Sequence, residues 1–499
     1  MDAYLGLAGH FEELAALDHI HGVLDWDRRV VMPAGAAEER ARAQAAVARW
    51  RRARLADPRV AAWLAAVEPA SLEPDQAANL REMKRLHRRA AAVSEEQTGA
   101  LADAAARSES AWEACRPAGD WAAFRPYLEE VVARVQEQAA ALAEAEESTP
   151  YGALLAGFQP GLTAERAEAL LREVDSFLPD LVARARTAGG GEEAPAAGGP
   201  FPQAAQERLA RKAAELLGYD FQHGRLDTAA HPFTGGAPGD VRITTRYEER
   251  DFAPGLLAAV HEAGHALYEQ HLPAAWRRQP AGRARGMAVH EGQSLFMEKQ
   301  VGLHPGFLGL VAGWLDEAFP GAEERPAWAG PALYRRLTRV EPGLIRVDAD
   351  EGTYPLHIRL RHELEQALIG RELAVSDLPE AWEAGMQERL GVRPQGDHRN
   401  GVMQDPHWAA GLFGYFPCYT LGALIAAQLM EALRTDLPGL DEQLAEGEPG
   451  PLRNWLEQRV WLRGSLPEFE GLLREATGKP LGVEAFRTHL EGRYLREAL

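Results

Sequence analysis

Apolar residues recur at the spacing of a helix face along most of this chain. In residues 38–67, for example, Ala43, Val47, Trp50 and Leu55 follow that period, with arginines between them. The same pattern extends over further windows, at residues 75–112, 126–145, 163–188, 356–373 and 421–434. Each such window can bury one apolar face and expose a charged one. We therefore expect a mainly α fold.

Two stretches break the helical pattern. VRITTRY, residues 241–247, is rich in β-branched residues and follows the turn-rich FTGGAPGD, so it predicts a short β-hairpin before the next helix. GGGEEAPAAGGP, residues 189–200, has the composition of a flexible segment. We interpret residues 1–188 as an N-terminal helical lobe and residues 201–499 as the region with the candidate site, both within one domain, 1–499.

Composition and charge narrow the classes of protein. Of the 499 residues, 46% are apolar, enough for a large core, and the formal net charge is −20. Because no dense Lys/Arg tract is present, nucleic acid is a poor partner. Two isolated cysteines exclude a disulfide framework and a cysteine zinc site. Without a signal-like start or a long uninterrupted apolar stretch, we predict a cytoplasmic protein with no membrane span.

The segment AAVHEAGHALYEQH carries the candidate chemistry. His261 and His265 are four positions apart, so on a helix both imidazoles can reach one metal ion. Pro254 suits the first turn of that helix, and Asp251 could cap it. Glu262 is offset by one position and would act on a water beside the metal as a general base. A coincidental match among 16 histidines is the alternative, and the helical context argues against it.

Two residues compete to be the third metal ligand that catalytic zinc usually takes. His271 matches the last histidine of HExxHxxGxxH, but that pattern needs glycine at position 268, where this chain has Tyr268. An uninterrupted helix would carry His271 about two turns beyond the second histidine. Glu291, in MAVHEGQSLFMEKQVG, follows after enough chain for a second helix to return. We favour Glu291. Glu298 could orient a ligand or could equally be a solvated helix glutamate, and His290 is expected to be structural or to support a ligand.

Further motifs accompany the segments that contain HEAGH and HEGQS. In chain order they are LDWDRRVVMP, HPF, DVRIT, HEAGH, HEGQS, IRVDAD, GVMQDPHW and FGYFPCYTLG. Together they resemble the carboxypeptidase Taq family of zinc metallocarboxypeptidases over nearly the whole chain. The chain departs from that family at Gly292, where a small hydroxylated residue is usual, and at Leu295-Phe296-Met297, where Arg-Leu-Trp is frequent. Neither departure removes a metal ligand or the base.

The resemblance implies a fold, an activity and an assembly. The fold would be a two-lobed helical saddle or clam with a deep cleft, and the zinc site would lie on the cleft floor beside a small β-hairpin. The activity would be hydrolysis of the C-terminal bond of peptides with a free C-terminus, with broad specificity. Zinc would be the cofactor, with cobalt as a substitute, because His/His/Glu binds both. A homodimer is expected.

Hydrolysis also requires a donor that stabilises the oxyanion of the tetrahedral intermediate. The candidates are His231, His407, Tyr415 and Tyr419. We favour Tyr419 and His407 as catalytic residues and keep His231 and Tyr415 as substrate-binding candidates. Packing within an aromatic-rich segment is the alternative for the two tyrosines.

An exopeptidase of this kind must recognise a carboxylate, for which the planar fork of arginine is suited. Arg346, in IRVDAD, is the first candidate for this carboxylate clamp, and Arg242, in DVRIT, is the second. The structural alternative for each is a salt bridge within its own motif, to Asp350 for Arg346 and to Asp240 for Arg242.

Two other functions remain open. An endo-oligopeptidase on the same helical architecture would need no arginine to bind a terminal carboxylate. A non-catalytic helical scaffold that binds zinc or peptides would need no general base, so Glu262 argues against it. An aminopeptidase is disfavoured because no GxMEN-like segment precedes HEAGH.

Overall fold

The computed structural model describes residues 2–188, 199–319, 328 and 330–495. Within these residues the chain forms twenty α-helices and three short strands, so the predicted mainly α fold is confirmed. The helices are α1 Asp2–Val30, α2 Ala37–Leu55, α3 Pro58–Ala66, α4 Pro74–Ala92, α5 Glu95–Cys115, α6 Trp121–Glu146, α7 Pro150–Phe158, α8 Ala164–Ala188, α9 Gln203–Leu217, α10 Ala253–Gln270, α11 Met287–Leu295, α12 Pro305–Ala318, α13 Gly330–Leu337, α14 Tyr354–Ile369, α15 Leu378–Leu390, α16 Pro417–Asp436, α17 Leu440–Glu446, α18 Gly450–Arg459, α19 Phe469–Thr477 and α20 Glu484–Tyr494. The strands are β1 Leu226–Thr228, β2 Thr234–Ala237 and β3 Asp240–Thr245.

Two of the predicted helical windows are divided in the structure. In the window 38–67, α2 ends at Leu55 and a new helix, α3, begins at Pro58. Asp57 caps this new helix by accepting the backbone N–H of Arg59, and proline suits its first turn. The second divides between α4 and α5, where Ser94 forms a capping box with Gln97. The periodicity continues across both breaks because local caps, rather than the apolar pattern, set the helix ends.

The largest hydrophobic core joins the two halves of the chain. Phe124 and Leu178, from the predicted N-terminal lobe, pack in the same core as Leu267 and Leu424. A smaller core forms among α1, α3 and α4, around residues such as Phe11. A division into two lobes therefore stays a prediction. The predicted flexible segment, residues 189–200, lies outside the described residues except for its last two positions.

The predicted hairpin is confirmed and belongs to a slightly larger sheet. β2 and β3 pair antiparallel, with Thr234 opposite Ile243, and Gly239 supplies the positive φ of the turn between them. The sequence did not indicate β1, which pairs parallel with β3 and is only three residues long. The order is β1-β3-β2, and Thr245 on β3 donates to the carbonyl of Gly255 on α10 at 2.7 Å. The sheet therefore packs directly against the helix that carries HEAGH.

No helix among the described residues is long and apolar enough to cross a membrane.

Candidate metal centre

Helix α10 presents two histidines from one face. Its start follows the sequence prediction, because Asp251 accepts the backbone N–H of Ala253 at 2.9 Å and Pro254 lies in the first turn. The helix then runs without interruption to Gln270. The rings of His261 and His265 have their centroids 5.0 Å apart, as expected for positions i and i+4.

Helix α11 brings a carboxylate to these imidazoles. Oε1 of Glu291 lies 3.9 Å from Nε2 of His261, and Oε2 lies 3.3 Å from Nε2 of His265. The two helices approach closely at Gly264, where a Cβ atom would lie only 2.5 Å from the carbonyl oxygen of Gln293. In the part of the chain that the structure describes, His261, His265 and Glu291 are the one group of three whose ligand atoms lie within 4.8 Å of one another.

The donor set and its spacing fit a divalent metal ion. Two imidazole nitrogens and one carboxylate are the ligands of many catalytic zinc sites, and a tetrahedral site places its ligand atoms about 3.4 Å apart. The separations of 3.3 and 3.9 Å are close to that value. His271, the competing third ligand, caps the end of α10 instead, with Nδ1 2.8 Å from the carbonyl of Leu267 and its ring against Trp461.

The outer nitrogen of His261 is held by Glu298, which matches one of the two roles that the sequence left open for this glutamate. Nδ1 of His261 donates to Oε2 of Glu298 at 2.8 Å, and Lys299 donates to the other oxygen at 2.6 Å. Burial raises the pKa of Glu298, but Lys299 and His261 outweigh it and lower that pKa to about 2. The segment Phe296–Gly302 is a π-helix, a form often found at functional sites. An ionised Glu298 leaves Nε2 of His261 free to bind a metal.

His265 has a corresponding support. Its Nδ1 lies 2.6 Å from Nδ1 of His290, whose Nε2 lies 2.9 Å from a carboxylate oxygen of Glu269. The predicted supporting role of His290 therefore has a geometric basis. Lys299 and Glu269 were not singled out in the sequence, because a lysine or glutamate on a helix has no feature that distinguishes it from a solvated one.

Glu262 lies beside the candidate metal ligands, and a residue of the sheet orients its carboxylate. Oγ1 of Thr234, the first residue of β2, lies 2.7 Å from Oε2 and 2.9 Å from the carbonyl oxygen of Glu262. Burial raises the pKa of Glu262 to about 7, although His261 opposes the shift. Thr234 was not predicted; its position directly after HPF is the signal that could have indicated it.

A second group of candidates lies on and beside α16. The hydroxyl of Tyr419 is 3.1 Å from Nε2 of His407, and the ring of Tyr415 packs 5.3 Å from that of Tyr419. Helix α16 lies against the metal centre, since a Cβ atom on Gly422 would come within 2.7 Å of Cγ of Glu291. Burial, with Arg346 nearby, lowers the pKa of His407 to about 3, so that imidazole is neutral.

Arg346 is buried and paired, but with a residue distant in sequence. Its Nε and Nη2 donate to Oδ1 of Asp405 at 3.0 and 2.8 Å, and Nη1 donates to the hydroxyl of Tyr354 at 2.5 Å. Asp350, the partner in the structural alternative for Arg346, instead accepts the backbone N–H of Gly352 at 2.9 Å. The guanidinium carbon lies 5.0 Å from the ring centroid of Tyr419. Arg346 therefore belongs to the same group as Tyr419 and His407.

The remaining candidates are less closely connected to the metal ligands. Arg242 forms the salt bridge to Asp240 that the sequence offered as its structural alternative, at 2.5 and 2.8 Å, and lies over the ring of Trp26. His231 is exposed in the loop between β1 and β2. The contacts of the described residues do not join either of them to His261, His265 or Glu291.

Glu365 on α14 anchors the loop that carries His407. Its carboxylate accepts N–H groups from Trp408 at 3.0 Å and Gly414 at 2.9 Å, and the hydroxyl of Tyr151 at 3.0 Å. Burial raises its pKa to about 7, above the value of about 4.3 in an unfolded chain. Between these values the folded protein binds a proton that the unfolded chain releases. Protonated Glu365 therefore stabilises the folded state. This contribution to the free energy of unfolding is complete below the unfolded pKa and is lost as the pH rises through 7.

We expect Glu365→Gln to remove this pH dependence of the free energy of unfolding, which amounts to roughly 4 kcal/mol. The unfolding temperatures of the parent protein and the variant are measured by calorimetry near pH 5 and near pH 8. Between these two values, the unfolding temperature of the parent should fall more than that of the variant. Parallel profiles across that range would mean that Glu365 stays ionised when folded.

HExxH metallopeptidases have this arrangement: two histidines four positions apart on one helix, a glutamate next to the first of them, and a further carboxylate that reaches the histidines. A sequence model of the family described as carboxypeptidase Taq (M32) metallopeptidase matches residues 6–494, and the chain belongs to that family.

Relatives and solved structures match most or nearly all of the chain. Thermostable carboxypeptidase 1 of Thermus thermophilus is 41% identical over 508 aligned residues, covering 99% of this chain and 98% of that protein. Carboxypeptidase 1 of Bacillus subtilis is 37% identical over 78% of this chain and 77% of its own. Metallocarboxypeptidase 1 of Trypanosoma cruzi superposes with a TM-score of 0.96 at 37% identity, covering 99% of both chains. An M32 carboxypeptidase from Deinococcus radiodurans R1 has a TM-score of 0.92 at 34% identity, again covering 99% of both.

Proposed function

We propose that this protein is a metal-dependent carboxypeptidase that removes single residues from the C-termini of peptides, with broad specificity. The observation that carries the proposal is the convergence of His261, His265 and Glu291 beside the buried carboxylate of Glu262. Structural metal sites are closed by their ligands and need no such base. The family membership of the chain supports the same conclusion.

The chain's own groups suit each part of the hydrolysis. His261, His265 and Glu291 would hold a divalent ion, zinc in our proposal with cobalt as a substitute, which would polarise the scissile carbonyl and lower the pKa of water. Glu262, held by Thr234, accepts the proton of that water and returns it to the leaving amine. Water is restricted around it, since the Glu262 side chain is buried.

The oxyanion donor in this proposal comes from α16 and the loop before it. Tyr419 donates its hydroxyl hydrogen either to His407 or to the oxyanion, because the two groups lie 3.1 Å apart and His407 is neutral. Tyr415 packs beside Tyr419 and would line the substrate site. His231, which is exposed between β1 and β2, would contact the substrate from the sheet side.

Arg346 is the favoured residue for binding the terminal carboxylate. Asp405 and Tyr354 hold its guanidinium through three N–H groups, and arginine has five, so donors remain for a substrate. Asp405 also accepts from Arg361 at 2.6 Å, so two guanidinium groups share one carboxylate and a net positive charge remains. Arg242, whose fork is paired with Asp240, stays the second candidate.

We expect Arg346→Ala to raise KM for peptides with a free C-terminus by about tenfold or more, because a charge-assisted hydrogen bond to the carboxylate is lost. Steady-state kinetics on free and amidated peptides, with Arg242→Ala as the matched comparison, measure this. If Arg346 served only its buried ion pair, the unfolding temperature of the variant would fall while KM stayed unchanged.

The proposed activity is tested by a mass-spectrometry time course on one unstructured peptide of about a dozen residues. The metal-loaded protein receives the peptide with a free C-terminus and, in parallel, with an amidated one. Stepwise loss of single residues from the free form alone supports a carboxypeptidase. Internal cleavage of both forms would indicate an endo-oligopeptidase and remove the role given to Arg346.

The proposal includes the cellular location and the oligomeric state of the enzyme. We infer a cytoplasmic homodimer. We infer the homodimer from the resemblance to the family. The cytoplasmic setting accords with two cysteines that form no disulfide, Cys115 and Cys418.

A further inference from the structure

A groove lined by basic side chains lies apart from the metal centre. It is bounded by α3, α4, the turn between α7 and α8, and the start of α19, and its volume is about 740 Å³. That volume is typical of pockets for small molecules. Its charged lining residues are Arg81, Lys84, Arg85, Arg88, Arg285, Glu82 and Glu468. This basic groove therefore carries an excess of three positive charges on a chain whose net charge is −20.

The floor of the basic groove holds a buried cation with an unused donor. Arg285 is 2% exposed and donates through Nη1 to Glu82 at 2.8 Å and to the carbonyl of Pro467 at 3.2 Å. Its Nε is buried and has no hydrogen-bond partner among the residues that the structure describes. A buried N–H of a charged group without an acceptor costs free energy, so the protein partners of Arg285 do not fully satisfy this cation.

The rim adds four cations from one helix face. Arg81, Lys84, Arg85 and Arg88 lie within two turns of α4, roughly 10 Å from first to last. Lys84 and Arg88 are exposed, and neither forms an ion pair with a described residue. Burial lowers the pKa of Arg85, and repulsion from the guanidinium of Arg285 lowers it further. Glu82 accepts hydrogen bonds from Arg81, Arg85 and Arg285, and its single carboxylate does not neutralise all of this charge.

We propose that the basic groove binds a small organic polyanion with two or more phosphate or carboxylate groups, of the size of a nucleoside diphosphate or triphosphate. The spacing of the α4 cations suits several oxyanion groups in a row, and arginine forks bind phosphate and carboxylate alike. Leu80, Pro160 and Phe469 form an apolar wall for the body of the ligand. This binding is separate from peptide hydrolysis, because the groove shares no residue with the metal centre.

Calorimetric titration of the full-length, metal-loaded protein tests this. The probes are ADP, ATP, pyrophosphate, citrate and adenosine. We expect one saturable site for the polyanions and none for adenosine. Lys84→Glu/Arg88→Glu should raise Kd by about tenfold or more and leave peptide hydrolysis without ligand unchanged. Arg49→Glu/Arg208→Glu changes the net charge equally at exposed positions outside the groove and should leave Kd nearly unaltered.

Polyphosphates and citrate also chelate metal ions, so the titrations are repeated with Glu291→Ala. Binding that persists in this variant supports the groove. A preference for pyrophosphate over citrate identifies phosphate as the bound group, and the reverse identifies carboxylate. The proposal is overturned if no polyanion binds saturably, if both charge-reversal variants weaken binding equally, or if binding disappears in Glu291→Ala.

Discussion

Glu262→Gln is expected to retain the metal and to lose turnover by about 10²–10⁴-fold, the contribution typical of a positioned general base. The amide of glutamine is close in size to the carboxylate and can still accept the hydroxyl of Thr234, so the fold around it is preserved. It cannot accept a proton from water at neutral pH. The loss should therefore appear in kcat, with a smaller effect on KM.

The measurement combines peptide hydrolysis with metal analysis of the same sample. Glu249→Gln makes the identical chemical change at an exposed position outside the metal centre and should have no effect. Turnover by Glu262→Gln within a few fold of the parent would exclude Glu262 as the base. Loss of metal from this variant would instead assign Glu262 to metal binding.

Glu291→Ala is expected to weaken metal binding by more than about 100-fold, since changes in residues that only support ligands already cost about 10–100-fold. The carboxylate is one of the three groups proposed to bind the metal, and Gly422 on the neighbouring helix has no side chain to replace it. Activity should fall in proportion to metal occupancy and recover in part at high metal concentration.

Elemental analysis after dialysis against a competing chelator measures this affinity. His271→Ala is the matched control, because it removes the competing candidate, and it should bind metal like the parent protein. If Glu291→Ala kept its metal and His271→Ala lost it, the third ligand would have to be reassigned and the end of α10 would have to unwind.

Local patterns predicted those parts of the fold and site that depend on near neighbours in the chain. The helical windows, the hairpin before α10 and the contact of Asp251 at the start of α10 all agree with the structure. The breaks before Pro58, where α3 begins, and at Ser94, which caps α5, were missed because the apolar period continues through both caps. The three-residue strand β1 was missed because it is too short for a pattern and exists only by pairing with β3.

By itself, the sequence determined that His261 and His265 face the same way, because helical geometry alone sets the relation between positions i and i+4. It also reduced the third ligand to two residues. Only the tertiary structure distinguishes these two residues, because α11 packs against α10 at Gly264 and Glu291 thereby reaches both imidazoles, whereas His271 does not. The same holds for Thr234 beside Glu262 and for Asp405, rather than Asp350, beside Arg346. These contacts join segments far apart in the chain, and their geometry follows from how helices and sheet share a core.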